Sequence, residues 1–345
     1  MASHALLLTT FASFGDLIYQ TPLIRLLRSL HDSLDVWCRN PEPFINNPNI
    51  REIHRMASFR VPEPRDFYFD AVYRATTEPG GMIVNMPQSN FHTVDYFTIG
   101  TCNLVLRDKE KDLELFWTKA DEESVRDMLL KEGLDIEKGN FTVVTPAITW
   151  PSRTLPLEFY QELISKVHAL TGDRVIIVGK DLSYSTYDPD REKGDSYYEQ
   201  FAIKEAPKQL HPVSAFDQKA IIDFTNKLTL QQLGALYSMT KIAINSENGN
   251  MVMSCTNKKC WNLYIPTLTA PEYRTPFRNG SMLYKTTVVG NADDYYPASS
   301  YDPRTDPEQR TSLIHRKIKL PTVDMVVEGY LKANEAIKNG STRTA

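Results

Sequence analysis

Short apolar runs alternate with helix-spaced apolar patterns along this chain, and this alternation restricts its fold more than any other feature. In the first half, Ala5–Thr10 is such a run, Leu23 to Leu30 recur at helical spacing, and Leu34–Cys38 is the next run. The second half repeats the pattern with the runs Phe141–Val144, Arg174–Gly179, Lys241–Asn245 and Cys260–Ile265. An α/β fold with parallel, doubly wound sheets is therefore predicted, with ligands bound outside the carboxyl ends of the strands.

The length of 345 residues exceeds one typical core and predicts two domains. We place the first at 1–135 and the second at 141–320, with a tail helix in 321–340. The net charge of −4 provides no general attraction to nucleic acid or anionic membrane, although it allows a local basic patch.

The sequence predicts a cytoplasmic protein with reduced thiols. No apolar run reaches the ~20 residues that span a bilayer, and the N-terminus lacks a signal-peptide pattern. Of the four cysteines, only Cys255 and Cys260 are close in sequence, and no second pair accompanies them. Buried free thiols are therefore favoured over a zinc site or a disulfide.

In each half of the chain a polar loop follows an apolar run, and each loop has side chains that can take part in catalysis or in binding an anion. The loop Phe11–Leu17 offers the carboxylate of Asp16. The loop Thr145–Arg153 offers the hydroxyls of Thr149 and Ser152 and the cation of Arg153. Together they indicate an enzyme that deprotonates one substrate and holds an anionic part of another.

Four blocks in order resemble the family-nine glycosyltransferases, which include the lipopolysaccharide heptosyltransferases. The blocks are Phe14-Gly15-Asp16-Leu17 with Thr21-Pro22-Leu23, Thr149–Arg153 with Leu155–Glu158, Leu228–Leu233, and Ser246-Glu247-Asn248-Gly249-Asn250-Met251. They extend over roughly residues 5–275. A single short motif often matches by chance, and four motifs in the same order do so much less often.

The resemblance implies a GT-B architecture, in which two Rossmann-like domains face each other across a cleft. The first domain would bind the acceptor and the second a nucleotide diphosphate sugar, the co-substrate, with no further cofactor. The tail helix would cross back onto the first domain. The reaction would invert the anomeric carbon and need no metal.

Asp16 is the candidate general base, because the attacking hydroxyl must lose a proton. Position alone balances this role against a helix cap, a common job for Asp, and the resemblance favours catalysis.

Thr149, Ser152, Arg153 and Gly249 are the candidate ligands of the donor phosphates. Without a metal, the charge of the leaving diphosphate must meet cations, hydroxyls and backbone N–H groups. The alternatives are a surface ion pair for Arg153 and a plain turn glycine for Gly249.

The resemblance also implies contacts to the sugar and the nucleotide. Glu247 and Asn248 occupy positions where the family has Asp and Ser or Thr, and Val252 replaces its His, so the sugar is left open. Leu228 would lie near the base and Asp181 near the ribose, although a core leucine and a surface aspartate are equally compatible.

Asp188-Pro189-Asp190 matches the Asp-x-Asp pattern of metal-dependent glycosyltransferases. It lies in the polar insertion 183–214 rather than directly after a strand, so a surface turn and no metal site are predicted. The tyrosines of the insertion are compatible with lining the donor site, covering it as a lid, or covering an apolar edge.

The predicted function is transfer of a sugar to a saccharide or lipopolysaccharide acceptor. Arg55, Arg60, Arg65 and Arg74 are candidates for an acceptor surface. The alternatives are glycosylation of a hydroxymethylated base in DNA with a non-heptose donor, and a non-catalytic nucleotide-sugar-binding protein. The oligomeric state is left open.

Overall fold

The computed structural model describes residues 3–11, 13–56, 69–76, 92–134, 136, 141–146, 155–179, 211–267, 286–289 and 320–339. These residues form two parallel sheets, as the alternating pattern predicts. Within them, no helix is long and apolar enough to cross a membrane.

The first sheet has four parallel strands in the order β3-β2-β1-β4. They are β1 (His4–Thr9), β2 (Ser33–Cys38), β3 (Glu52–Arg55) and β4 (Ala71–Arg74). The helices α1 (Phe14–Ile18) and α2 (Thr21–Leu30) contribute Leu17, Leu23 and Leu27 to the core on one face, and α3 (Thr93–Cys102) packs beside α2.

Pro22 lies in the first turn of α2, where its missing N–H costs no hydrogen bond. Gln20 occupies the cap position of α2. Thr21 donates a hydrogen bond of 2.8 Å from Oγ1 to the carbonyl of Ile18, which ends α1. The chain therefore forms two short helices here, not one kinked helix.

The second sheet has six parallel strands in the order β10-β9-β8-β5-β6-β7. They are β5 (Thr142–Thr145), β6 (Val175–Ile177), β7 (Ile221–Asp223), β8 (Ile242–Ser246), β9 (Trp261–Ile265) and β10 (Thr286–Val288). Helices cover both faces, which explains why the strands are apolar on both sides.

One face of this sheet packs against α5 (Leu157–Thr171) and α8 (Val323–Lys338). The apolar residues of the other face share one buried cluster with residues of three helices, α4 (Lys119–Lys131), α6 (Leu230–Met239) and α7 (Gly249–Ser254). The ends of two of these helices follow from their residues: Gly172 ends α5 with φ +73°, and Thr229 with Gln232 forms a capping box that starts α6.

The expectation that the tail helix packs on the first domain is not met by the contacts of α8. Val326, Tyr330 and Ala333 form its buried stripe and pack in the core of the second domain. The hydroxyls of Tyr330 and Thr142 lie 3.2 Å apart, and Lys166 on α5 pairs with Asp324 at 2.6 Å. The apolar stripe of α8 matches this face of the second sheet, which it shields from water.

The helix α4 lies within the predicted first domain, 1–135, and packs on α6. Its Val125 and Leu129 belong to a buried cluster that holds Ile18 and Phe97 of the first half as well as residues of the second sheet. Gln232 Nε2 on α6 donates to Ser124 Oγ at 3.0 Å. Ahead of α4, the side chain of Leu115 lies so close to Gly234 of α6 that a Cβ added to this glycine would be 2.8 Å from Leu115 Cδ2.

Candidate functional site

The candidate site lies where the strand order reverses in each sheet. In the first sheet, strands are added on either side of β1, and the loop after β1 carries Asp16. In the second, the order reverses between β5 and β8, and the loop after β8 carries Glu247. Crevices outside the carboxyl ends of strands at such reversals bind ligands in open α/β sheets.

Asp16 lies in the first turn of α1, but it is not the cap of this helix. Ser13 is the cap: its Oγ accepts a 3.2 Å hydrogen bond from the Asp16 amide and lies 2.9 Å from Asp16 Oδ2, to which it donates. The carboxylate of Asp16 is half-buried. The predicted capping role therefore belongs to Ser13, and the Asp16 side chain has one oxygen oriented by that hydroxyl.

The loop after β8 is held in a similar way. Asn248 caps α7, since its Oδ1 accepts a 3.0 Å hydrogen bond from the Met251 amide. Gly249 is the first residue of α7 and does not have the positive φ of a turn glycine. Glu247, just before the cap, is only 2% exposed. The backbone around Gly249 thus opens a short helix at the end of a central strand.

Gly15 and Gly249 bring α1 and α7 into direct contact. A Cβ added to Gly15 would lie 3.4 Å from Gly249 Cα and 3.5 Å from Val252 Cγ2. A Cβ added to Gly249 would lie 3.6 Å from the amide nitrogen of Gly15. The residue next to the candidate base and the candidate phosphate-binding glycine therefore meet, although they are 234 positions apart in the sequence.

A second contact joins the domains near Leu228. This residue is half-buried and directly precedes Thr229, the cap of α6. Gln231, the second residue of α6, donates a 2.6 Å hydrogen bond to the carbonyl oxygen of Glu42, in the 3₁₀ turn after β2. The start of α6 thus contacts the same edge of the first sheet that carries Asp16.

Six predicted site residues lie outside the described residues: Thr149, Ser152, Arg153 and Asp181 for the donor, and Arg60 and Arg65 for the acceptor surface. The same holds for Asp188-Pro189-Asp190 and for most of the insertion. The strand β5, which precedes Thr149, Ser152 and Arg153 in the sequence, is described. Its last residue, Thr145, is paired in register with Asn245 of β8. The loops after β5 and β8 therefore begin side by side.

The described residues contain one grouping with the composition of a metal site, formed by Asp35, Glu52 and His54. Arg51 holds Asp35 through both carboxylate oxygens, at 2.8 and 2.7 Å, and His54 Nε2 lies 2.9 Å from Asp35 Oδ2. Asp35 also lies in the amino half of β2, away from Asp16. This grouping is an ion-pair cluster already satisfied by a guanidinium.

The cysteines are free thiols, as predicted. Burial raises the pKa of the Cys38 thiol to about 12, with Glu42 adding to the effect, and burial raises the pKa of Cys255 and Cys260 as well. These three thiols stay protonated at neutral pH and are poor nucleophiles.

Two features of the site were not predicted from the sequence: the capping role of Ser13 and the contact of Gly15 with Gly249. Ser13 could have been found from its spacing, because a Ser three residues before an Asp is a capping signal. Val252, at the position where the resemblance expects His, packs against Gly15 and is 3% exposed. This position therefore serves the contact between the two domains.

No protein-family sequence model and no curated protein sequence matches the chain. Solved structures do. The family 9 glycosyl transferase of Veillonella parvula DSM 2008 aligns with a TM-score of 0.60 at 14% identity, covering 98% of this chain and 97% of that one. The E. coli ADP-heptose lps heptosyltransferase II aligns with a TM-score of 0.60 at 15% identity, covering 97% and 99%.

A third structure, the iron-containing dodecameric glycosyltransferase TibC from enterotoxigenic E. coli H10407, aligns with a TM-score of 0.56 at 15% identity, covering 98% of this chain and 81% of that one. The resemblance predicted from four short blocks is thus confirmed over nearly the whole chain. The protein has the α/β fold of the family 9 glycosyltransferases.

Proposed function

We propose that this protein is an inverting glycosyltransferase that moves a sugar from a nucleotide diphosphate sugar to an acceptor hydroxyl without a metal. The observation that carries the proposal is the contact of Gly15 with Gly249, which joins the loop of the candidate base to a loop suited to phosphate. The shared fold supports it, since the neighbours described above are named glycosyltransferases.

In this reaction Asp16 acts as the general base. As the acceptor oxygen forms its bond to the anomeric carbon, its proton passes to the Asp16 carboxylate. The bond between that carbon and the diphosphate oxygen breaks, and its electron pair leaves with the diphosphate. Ser13 Oγ, which donates to Asp16 Oδ2 at 2.9 Å, fixes the direction of the carboxylate during the transfer.

The second domain would stabilise the leaving group. Thr149, Ser152 and Arg153 follow β5 in the sequence and would provide hydroxyls and a cation, and Gly249, the first residue of α7, would provide a backbone N–H. Glu247 and Asn248 would bind sugar hydroxyls, Leu228 the base and Asp181 the ribose. These roles come from the sequence resemblance and from the end of β8, where Glu247 lies.

The acceptor in this proposal is a saccharide of the lipopolysaccharide type, and the reaction takes place in the cytoplasm. The first domain binds it on the edge that carries Asp16 and Arg74, the last residue of β4. Glycosylation of DNA would instead require steep salt dependence of acceptor binding, which distinguishes the two acceptors.

The donor site is tested first, by thermal unfolding in EDTA with a panel of nucleoside diphosphates and nucleotide sugars. A ligand at 100 times its dissociation constant adds about 2.7 kcal/mol of stability. We expect one nucleotide family to stabilise the wild type, Arg153→Ala to lose the effect, and Lys219→Ala, which removes an exposed cation of the same domain, to keep it. No stabilisation by any compound would contradict the proposal.

The base is tested with the stabilising donor in a transfer assay. Asp16→Asn keeps the shape of the side chain and removes its basicity, so we expect a rate lower by ~10²–10⁴-fold with the donor affinity unchanged. Near-wild-type turnover would exclude Asp16 as the base. Activity that is lost in EDTA and restored by manganese would exclude the metal-free mechanism.

A further inference from the structure

A row of polar side chains is buried at the carboxyl ends of three neighbouring strands of the second sheet. Thr145, Asn245 and Tyr264 are paired in register across β5, β8 and β9, and none is more than 1% exposed. Two residues earlier on the same face, β5 and β8 carry the apolar Val143 and Ala243. Burying polar groups is unfavourable unless they are hydrogen-bonded, so this change from apolar to polar side chains needs a reason.

Ser254, the last residue of α7, links this row to the helix. Its Oγ, which has one hydrogen to donate, lies within hydrogen-bond distance of two acceptors, the carbonyl of Met251 at 2.8 Å and Oδ1 of Asn262 on β9. The Nδ2 of Asn245 lies 3.4 Å from the same hydroxyl. Ser254, Asn245 and Asn262 are all buried, and together they connect α7 to two strands.

These links hold both ends of the segment that contains the donor loop. Asn245 directly precedes Ser246–Asn248, and Ser254 ends the helix that Gly249 begins. The helix has only six residues, so apolar contacts alone leave its rotation about its own axis poorly determined. Hydrogen bonds are directional, and a satisfied buried network fixes one orientation.

We propose that Ser254, together with Asn245 and Asn262, positions the Glu247–Gly249 loop, so that its backbone N–H groups point to one fixed place. These three are positioning residues, because they are buried and would act through the loop. The expectation that this loop binds a nucleotide rests on the proposed function, whereas the orientation of the loop does not.

The test compares two serines in the same domain. Ser254→Ala removes the link to the strands. The matched control is Ser238→Ala on α6, where the hydroxyl makes the same kind of bond, 2.7 Å to the carbonyl of Ala235. Hydrogen–deuterium exchange is measured over residues 246–254, and the affinities of ADP, UDP and GDP are measured by calorimetry well below the unfolding temperature.

We expect Ser254→Ala to speed exchange over 246–254 by about tenfold and to weaken the nucleotide that wild type binds by about tenfold, as for the loss of one hydrogen bond. Ser238→Ala should change neither. If Ser254→Ala does not fold, Asn245→Ala removes the same link from the strand side and carries the same expectation.

The two proposals fail in different ways. Wild type that binds none of the three nucleotides would count against the proposed function, while the exchange rates would still report on the loop. Exchange in Ser254→Ala equal to that in Ser238→Ala would overturn the positioning role, whatever the nucleotide affinity. A lower unfolding temperature with unchanged exchange and affinity would also overturn it, because Ser254 would then be purely structural.

Discussion

The helices α1 and α7 begin alike and are anchored differently. Each is short, follows a central strand and is capped by the side chain of Ser13 or Asn248. The buried anchors of α1 are the apolar Leu17 and Ile18, whereas α7 adds the polar Ser254 to its apolar residues.

The difference follows from which atoms each helix presents. The proposed functional group of α1 is the side chain of Asp16, which can adjust its direction by rotation about its own bonds. The groups proposed for α7 are backbone N–H groups, which can be redirected only by moving the helix. The orientation of a helix that presents backbone N–H groups, such as α7, therefore depends more on directional hydrogen bonds.

The largest expected change in stability comes from removing the apolar anchor of α1. Leu17 is fully buried, so Leu17→Ala should lower the free energy of unfolding by ~2–5 kcal/mol through lost contacts and a cavity. Urea denaturation measures this. Leu30→Ala, at a residue 52% exposed on α2, should stay within ~0.5 kcal/mol. Equal effects at the two positions would contradict the apolar anchoring of α1.

A smaller effect is expected from the polar cluster of the first domain, which lies away from the site. Burial favours a raised pKa for Asp35, but hydrogen bonds from Arg51, His54 and His4 outweigh it and hold the pKa at about 2. The carboxylate therefore stabilises the fold above its unfolded pKa of 3.8, and this contribution is lost as the pH falls towards 2.

Asp35→Asn should accordingly cost ~1–3 kcal/mol at pH 7, because it leaves Arg51 and the histidines without a charged partner. The difference from wild type in urea denaturation should shrink between pH 4 and pH 2. Glu52→Gln, at a side chain 60% exposed, serves as the control and should change little. A difference that is constant with pH would show that the charge of Asp35 does not contribute.

The smallest effect is expected at the contact between the two helices. A Cβ at Gly249 would lie 3.6 Å from the Gly15 nitrogen, an ordinary contact, so Gly249→Ala should change the free energy of unfolding by no more than ~0.5 kcal/mol. Gly249→Val adds two methyl groups at the same place and should cost more. If both variants unfold at the wild-type urea concentration, α1 and α7 are not in contact in solution.

The sequence predicted the elements best where the periodic pattern is long. The tail helix, predicted within 321–340, extends over Val323–Lys338, since a stripe repeated over four turns leaves few alternative boundaries. β4, β7 and β10 were missed. They have four, three and three residues, too few to display a pattern.

The partners of the helices were harder to predict than the helices themselves. An apolar stripe shows which face of α4 or α8 is buried, but not which sheet buries it. The same limit applies to the site. Asp16 and Gly249 were identified one by one, whereas their proximity depends on how two sheets pack, which no local pattern encodes. The hydroxyl pair of Thr142 and Tyr330 likewise forms only after packing.

The chain passes from the first domain to the second over very few residues, ahead of α4. Glu114 is still bonded to α2, through its amide to Thr21 Oγ1 at 3.0 Å and through its carboxylate to Arg25 at 2.8 Å. Leu115, the next residue, already packs against Gly234 of α6. Because these two contacts are made by neighbouring residues, the chain crosses here without a flexible linker, and we expect an insertion of a few glycines between them to loosen the contact of α1 with α7.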